Sequence, residues 1–295
     1  MKKGLITKAT GGFYYVLTEG GEVSCRARGL FRFERDKITP FVGDHVIISV
    51  EDDGSGTVAE ILPRKNWLIR PPLANLDYLA AVVSLSDPEP NLVILDKFLA
   101  ILEKSGIPPI VIITKPDLRD SEALSTLYRK AGFSVFVVHS PTGEGISELA
   151  PSLSGKVGAF FGNSGVGKSS LLNAIDPRFG AAVGDTSKKL GRGKHTTRHV
   201  ELFPLEKGGW IADTPGFSSI DLQAFGGIGK EELAGCFIEF ASLIGGCRFN
   251  NCSHIREKGC AVISALESGE ISQSRYQSYQ SLYNEVKDVK EWERK

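Results

Sequence analysis

Gly162-Asn163-Ser164-Gly165-Val166-Gly167-Lys168-Ser169 follows the apolar run Val157–Phe161 and opens the helical pattern Ser169–Ile175. The stretch satisfies GxxxxGK[ST], and a strand before it with a helix after it is the context that pattern requires. Its glycines let the backbone wrap closely around phosphates, its amides and the helix N-terminus supply positive potential, and the Lys168 ammonium reaches the terminal phosphates. Ser169 is the residue that would hold Mg²⁺. The competing explanation is a chance match in a chain with 33 glycines. Strand and helix on either side weigh against it.

Working outward, residues from about Asn66 to Ser219 alternate apolar runs with helical patterns. Tyr78–Leu85, Pro109–Ile113, Phe133–Val138 and Val157–Phe161 are expected as strands, Leu92–Glu103 and Glu122–Ala131 as helices. That alternation predicts a parallel sheet wrapped by helices, and runs such as Ile110-Val111-Ile112-Ile113 fit strands buried on both faces. From Gly4 to about Leu62, five short runs broken by Gly11-Gly12, Gly20-Gly21, Pro40 and Asp53-Gly54 predict a small barrel. Within it, Arg26-Ala27-Arg28-Gly29-Leu30-Phe31-Arg32 interleaves cations with an aromatic and suits nucleic-acid backbone and bases; a strand edge guarded by charge is the alternative. From about Leu222 onward come a cysteine-rich loop and polar helical stretches. The expected division is 1–65, 66–221 and 222–295.

A phosphate loop alone does not choose the nucleotide. Asp213-Thr214-Pro215-Gly216 ends the apolar run Trp210–Ala212 and has the DxxG form of GTPases, with Asp213 reaching Mg²⁺ through water and the Gly216 amide meeting the γ-phosphate. Thr196 or Thr197 would supply a switch hydroxyl to Mg²⁺. Thr114-Lys115-Pro116-Asp117, directly after a strand, has the [NT]KxD form: the Asp117 carboxylate can accept from guanine N1–H and the 2-amino group, a pair adenine lacks, while the Lys115 stem lies over the base. A structural Lys-Pro-Asp turn is the alternative. Ser140, after the strand Phe133–Val138, is the usable residue of a second guanine loop. The base-reading turns come before the phosphate loop, the reverse of the usual order. A permuted chain keeps its site because all these loops leave one edge of the sheet.

These motifs together resemble the ribosome small-subunit-dependent GTPase A family of bacterial circularly permuted GTPases. The resemblance covers nearly the whole chain and includes Gly29–Arg32, Arg70-Pro71-Pro72, Thr114–Asp117, Gly162–Ser170, Gly191–Arg198 (GRGKHTTR) and Asp213–Gly216. It implies an OB-fold barrel at the N-terminus and a permuted P-loop GTPase domain. It also implies GTP hydrolysis stimulated by the small ribosomal subunit, and a role in that subunit's late assembly through rRNA binding. Where Ras-like GTPases place a water-orienting Gln after DxxG, this chain has Phe217, so His195 is the expected catalytic group, supported by the resemblance. A solvated His in a basic loop is the alternative. Lys188, Lys189, Arg192, Lys194 and Arg198 form a loop suited to RNA phosphates. Two rivals are a nucleotide-gated RNA-binding factor and an ATP-using P-loop enzyme.

Cys247, Cys252, His254 and Cys260 offer three thiolates and one imidazole, the donor set of a closed tetrahedral zinc site, and match the family's pattern. A structural zinc in a helical C-terminal domain is therefore expected, one per chain, along with Mg²⁺ accompanying GTP. Cys25 and Cys236 fit as apolar fillers and His45 as a structural residue. Lys plus Arg and Asp plus Glu are 35 each, so attraction to nucleic acid must be local. The absence of an apolar leader or span and the lopsided cysteines point to a cytoplasmic, membrane-free protein; a monomer is the expectation.

Overall fold

A computed structural model describes residues 1–27, 39–69, 71–179, 200–213 and 227–290. They form two compact units, each assembled from three stretches of chain.

The first unit comprises Met1–Tyr78, Pro151–Phe160 and Asp176–Pro215. Strands β1 (Lys2–Thr10), β2 (Phe13–Thr18), β3 (Gly21–Ala27), β4 (His45–Val50) and β5 (Gly56–Ile61) pair in the order β1-β2-β3-β5-β4, and β4 returns to β1 to close the barrel. Every pairing is antiparallel except β3 with β5. Alternation puts Val46 and Ile48 inside with Ile6, Val16 and Val58, all fully buried. Closure requires Gly56: a Cβ there would stand 2.6 Å from Cys25 Sγ. Buried Cys25 is thus the apolar filler expected of it.

A short hairpin, β6 (Trp67–Leu68) and β7 (Leu73–Ala74), follows the barrel. Asp44 is fully buried and accepts from Arg64 Nε and Nη2 at 2.7 Å each. Asn66 and Asn75 satisfy backbone groups of Leu76, Lys65 and Gly43. In this unit β11 (Val157–Phe161) runs parallel to β13 (Trp210–Asp213), which pairs antiparallel with β12 (Val200–Pro204), and β12 adjoins β1.

The second unit comprises Leu79–Ala150, Phe161–Ile175 and Gly216–Lys295. Its parallel strands β8 (Tyr78–Ser84), β9 (Pro109–Thr114) and β10 (Ser134–Val138) lie in the order β10-β9-β8. β9 is buried along nearly its whole length, as its unbroken apolar run requires. Thr114 is in register with both Ser84 and Val138, so the chain leaves all three strands at one level. That alignment gathers the loops described below.

Helices α1 (Leu92–Lys104), α2 (Glu122–Lys130), α3 (Ile146–Leu153) and α4 (Lys168–Ile175) follow β8, β9, β10 and β11 in turn. Asn91 caps α1 by accepting from the Ile94 amide at 3.1 Å. The buried stripe of α1 includes Phe98, whose ring stacks on Phe161 at 3.7 Å. After α5 (Lys230–Leu233), the cysteine-rich loop leads to α6 (Ala261–Glu267) and α7 (Gln273–Val286).

Arg275 of α7, 1% exposed, joins this C-terminal segment to α1 and α2. Its Nη1 donates to Asp96 at 2.7 Å, while Nε and Nη2 fork onto Glu239 at 2.7 and 2.8 Å. Tyr128 donates to the same Asp96 oxygen at 2.8 Å, and the guanidinium lies 4.6 Å from the Phe237 ring centroid. Among the described residues, no helix is long and apolar enough to cross a membrane.

Candidate functional site

The phosphate-loop candidate leaves β11 at Gly162 and enters α4 at Lys168. Gly162 has no room for a side chain, since a Cβ would come within 2.3 Å of Val82 O. Gly167 has φ +95°, which L side chains rarely adopt, and its carbonyl begins α4 by accepting from the Leu171 amide at 2.8 Å. Lys168 Nζ folds back to donate to Gly162 O at 2.6 Å and Asn163 O at 2.8 Å, and burial lowers its pKa. A cation centred over a loop whose amides precede a helix N-terminus is chemically matched to phosphate oxygens.

The Thr114–Asp117 turn leaves β9 beside this loop. Thr114, 2% exposed, bonds through Oγ1 to Val166 O at 2.6 Å and approaches Val83 O at 3.1 Å. Its hydroxyl therefore ties the Thr114–Asp117 turn to the backbone of the Gly162–Ser169 loop. A short side chain suffices because β8 and β9 end level with one another. Lys115 has φ +55° and donates from Nζ to Asp87 O. Leu118 N closes the turn onto Lys115 O at 3.2 Å. The half-exposed Asp117 carboxylate lies 3.3 Å from His139 Nε2. Ser140 belongs to the loop that follows β10, the same loop as His139. The structure thus brings Thr114–Asp117, Gly162–Ser170 and the 139–145 loop together in one unit.

Asp213 ends β13, opposite Glu201 of β12, and β13 runs beside β11 through Ala159 and Ala212. His195, Thr196, Thr197, Gly216 and Phe217 lie outside the described residues, as do the rest of the basic loop, Arg28–Arg32 and Arg70.

Cys247, Cys252, His254 and Cys260 converge: one donor atom from each lies within 4.8 Å of the others. His254 Nδ1 is 3.3 Å from Cys260 Sγ and 3.6 Å from Cys247 Sγ, and the Ala261 amide donates to Cys247 Sγ at 3.3 Å. The loop is held from two sides. Glu257 accepts from the amides of Ser253, Ile255 and Arg256 and from the Ser253 hydroxyl, and these donors bring its carboxyl to about 2 against the opposing effect of burial. From α7, Tyr276 and Tyr279 donate to His254 O and Ser253 O at 2.8 and 2.7 Å. His254 itself sits at φ +59°.

Burial pushes Cys252 up to about 12 and lowers His254, favouring thiol and neutral imidazole in the absence of a cation. A bound divalent cation reverses the first preference by stabilising thiolate and suits the second. Three sulfurs and one imidazole, already gathered and with an amide directed at sulfur, fit a metal ion.

Two contacts at the candidate sites were not apparent from the sequence. His139 against Asp117 is one, Glu257 beneath the Cys/His loop another. The Thr142-Gly143-Glu144-Gly145 turn after an apolar strand was the available signal for the first.

The RsgA GTPase family model matches residues 61–223, and the RsgA N-terminal domain model matches residues 3–58. The small ribosomal subunit biogenesis GTPase RsgA of Caldanaerobacter subterraneus subsp. tengcongensis is 45% identical over 289 residues, which cover 97% of this chain and 96% of that protein. The protein of the same name from Bacillus subtilis is 44% identical over 301 residues, covering 98% and 99%. Among solved structures, YloQ, described as a circularly permuted GTPase, superposes with a TM-score of 0.79 at 40% identity, covering 98% of this chain and 96% of that one. YjeQ from Thermotoga maritima gives 0.81 at 34% identity, covering 98% and 99%. Matched in both parts by family models and along nearly its whole length by these relatives, the chain belongs to the RsgA GTPase family.

Proposed function

We propose that this GTP hydrolase acts in biogenesis of the small ribosomal subunit, reading guanine with Thr114–Asp117 and Ser140 and holding phosphates with Gly162–Ser170. The observation that carries the reading is the Thr114 hydroxyl, bonded to Val166 O at 2.6 Å. It joins a turn with guanine-accepting chemistry to a loop with phosphate-binding chemistry. ATP offers Asp117 no matching pair of donors, so the same turn argues against an adenine nucleotide.

In this proposal Lys168 exchanges its two loop carbonyls for nucleotide phosphate oxygens, and α4 directs its N-terminus at them. Ser169, Thr197 and, through water, Asp213 would hold Mg²⁺, which when bound neutralises charge developing on the phosphates. The Gly216 amide meets the γ-phosphate. Phe217 has no group to orient water, so His195 takes that role when the chain is on the small subunit.

Residues 1–65, 66–221 and 222–295 act as barrel, GTPase and metal-binding domains. The first and third grip rRNA, and Cys247, Cys252, His254 and Cys260 hold structural zinc. A monomer working in the cytoplasm is the form proposed.

GTP turnover should be measured while purified small subunits are titrated in. A rate that climbs and saturates supports the proposal. A rate indifferent to the subunits overturns it. His195→Ala should abolish the climb while leaving GDP binding unchanged.

A further inference from the structure

β9 and β10 run parallel with Thr114 opposite Val138. The chain therefore leaves them side by side, and Asp117, three residues on from Thr114, meets His139, one residue on from Val138. The 139–145 loop folds tightly on itself. His139 N donates to Glu144 O at 3.0 Å, and His139 O accepts the amides of Gly143 and Thr142 at 2.9 and 3.2 Å. This fixes the backbone beneath the imidazole, whose side chain is 20% exposed.

The two ring nitrogens have different partners. Nδ1 lies 2.8 Å from Thr142 Oγ1, and Nε2 lies 3.3 Å from Asp117 Oδ1. The Thr142 hydroxyl has one hydrogen to give. Its alternative acceptor, His139 O, is 3.4 Å away and already receives two amides. Donation of that hydrogen to Nδ1 places the ring proton on Nε2, facing the carboxylate, the arrangement in which both contacts are hydrogen bonds.

We propose that His139 is a positioning residue for guanine recognition: Thr142 fixes its tautomer, and its Nε2–H pins the Asp117 carboxylate in the orientation that accepts guanine N1–H and the 2-amino group together. The inference rests on the guanine reading of Asp117 given above. A carboxylate has about four lone-pair sites, so one bond from a neutral donor leaves capacity for both base donors. A cation in the same place would draw the carboxylate into an ion pair and weaken it as an acceptor. A single imidazole N–H orients it and leaves its other lone pairs open to the base. Arg129, Glu144 and Glu148 line the same recess, and Arg129 donates to Val135 O.

Pinning matters most where both carboxylate oxygens must be engaged. Hypoxanthine keeps N1–H and lacks the 2-amino group, so it needs only one oxygen. Loss of the pin should therefore weaken GDP more than IDP. The experiment is equilibrium binding of GDP, IDP and ADP to the full chain and to His139→Phe, His139→Gln and Thr142→Val. His139→Phe keeps a ring but no donor, and should lower the GDP-to-IDP affinity ratio about fivefold, the worth of one net hydrogen bond. His139→Gln carries an amide N–H at similar reach and should restore most of the ratio. Thr142→Val should lower it by freeing the tautomer, and carries the test if His139→Phe does not fold.

An unchanged ratio in His139→Phe, or His139→Gln behaving like His139→Phe, overturns the proposal. A wild-type chain that binds ADP as well as GDP overturns the guanine reading itself, and the proposal with it. The two failures are thereby distinguished.

Discussion

Replacing Arg275 with methionine should destabilise the second unit by about 3–5 kcal/mol, the range found when one partner of a buried ion pair is removed. Methionine keeps an unbranched apolar stem, so the change falls mainly on charge and hydrogen bonding. Three donated bonds disappear, one to Asp96 and two to Glu239. The Asp96 and Glu239 side chains are 1% and 9% exposed, so water cannot replace the lost donors without opening the packing. Burial already pushes Asp96 above the usual carboxylate range, with the Arg275 charge opposing it. Removing that charge leaves burial opposed only by the hydrogen bonds from Tyr128 and Ser278.

Urea denaturation of wild type, Arg275→Met, Asp96→Asn and the double variant measures the loss and the coupling. A cycle should give more than about 1 kcal/mol of interaction, because the residues share a network. For a chain of 295 residues unfolding as one unit the melting temperature should fall by roughly 5–8 °C. A loss below about 1 kcal/mol in Arg275→Met would refute the reasoning, since the network would then be replaceable by apolar contact alone.

Thr114→Val should weaken GDP binding about tenfold by leaving Val166 O without its donor, and Thr114→Ser should retain most of the affinity; equal titrations for the two variants would show that the hydroxyl is idle. Asp117→Asn should shift preference from guanosine to xanthosine diphosphate, read by competition binding. Chelation at neutral pH should lower the melting temperature, because four gathered donors then lose their cation; an unchanged melt counts against a structural metal. Asp176, 2% exposed, is lowered to about 2, chiefly by hydrogen bonds from Arg178, with the Glu206 amide adding to it. Its folded value lies below its ordinary 3.8, so its contribution is complete above that pH and is lost as pH falls through about 2. The stability gap between wild type and Asp176→Asn should close across that window in acid titrations.

What the sequence disclosed was local. GxxxxGK[ST], TKxD and the Cys/His spacing are short patterns whose residue types follow from backbone conformation or donor chemistry, and each occupies the turn expected of it. The barrel strands and the doubly buried β9 were visible in alternation and in unbroken apolar runs. α3 went unread because Pro151 interrupts its pattern. β6 and β7, two residues each, are too short to show a period. Long-range pairings left no trace: nothing near Asp96 announces Arg275, and nothing in a TKPD turn announces His139. Each depends on register between elements. His195 and Thr197 fall outside the described residues, so their roles rest on motif and family.

The bond between Asp96 and Arg275 spans 179 residues of sequence. During synthesis the chain grows from its N-terminus, so α1 emerges long before the helix that covers it. Until α7 arrives, Asp96 has no guanidinium and the adjoining apolar face of α1 has no roof. A nascent chain could form its barrel early, from contacts close in sequence, but must wait for Arg275 before the second unit closes. The fold thus makes synthesis of α7 a condition for closing that unit, and chains cut before Arg275 should expose the apolar face of α1.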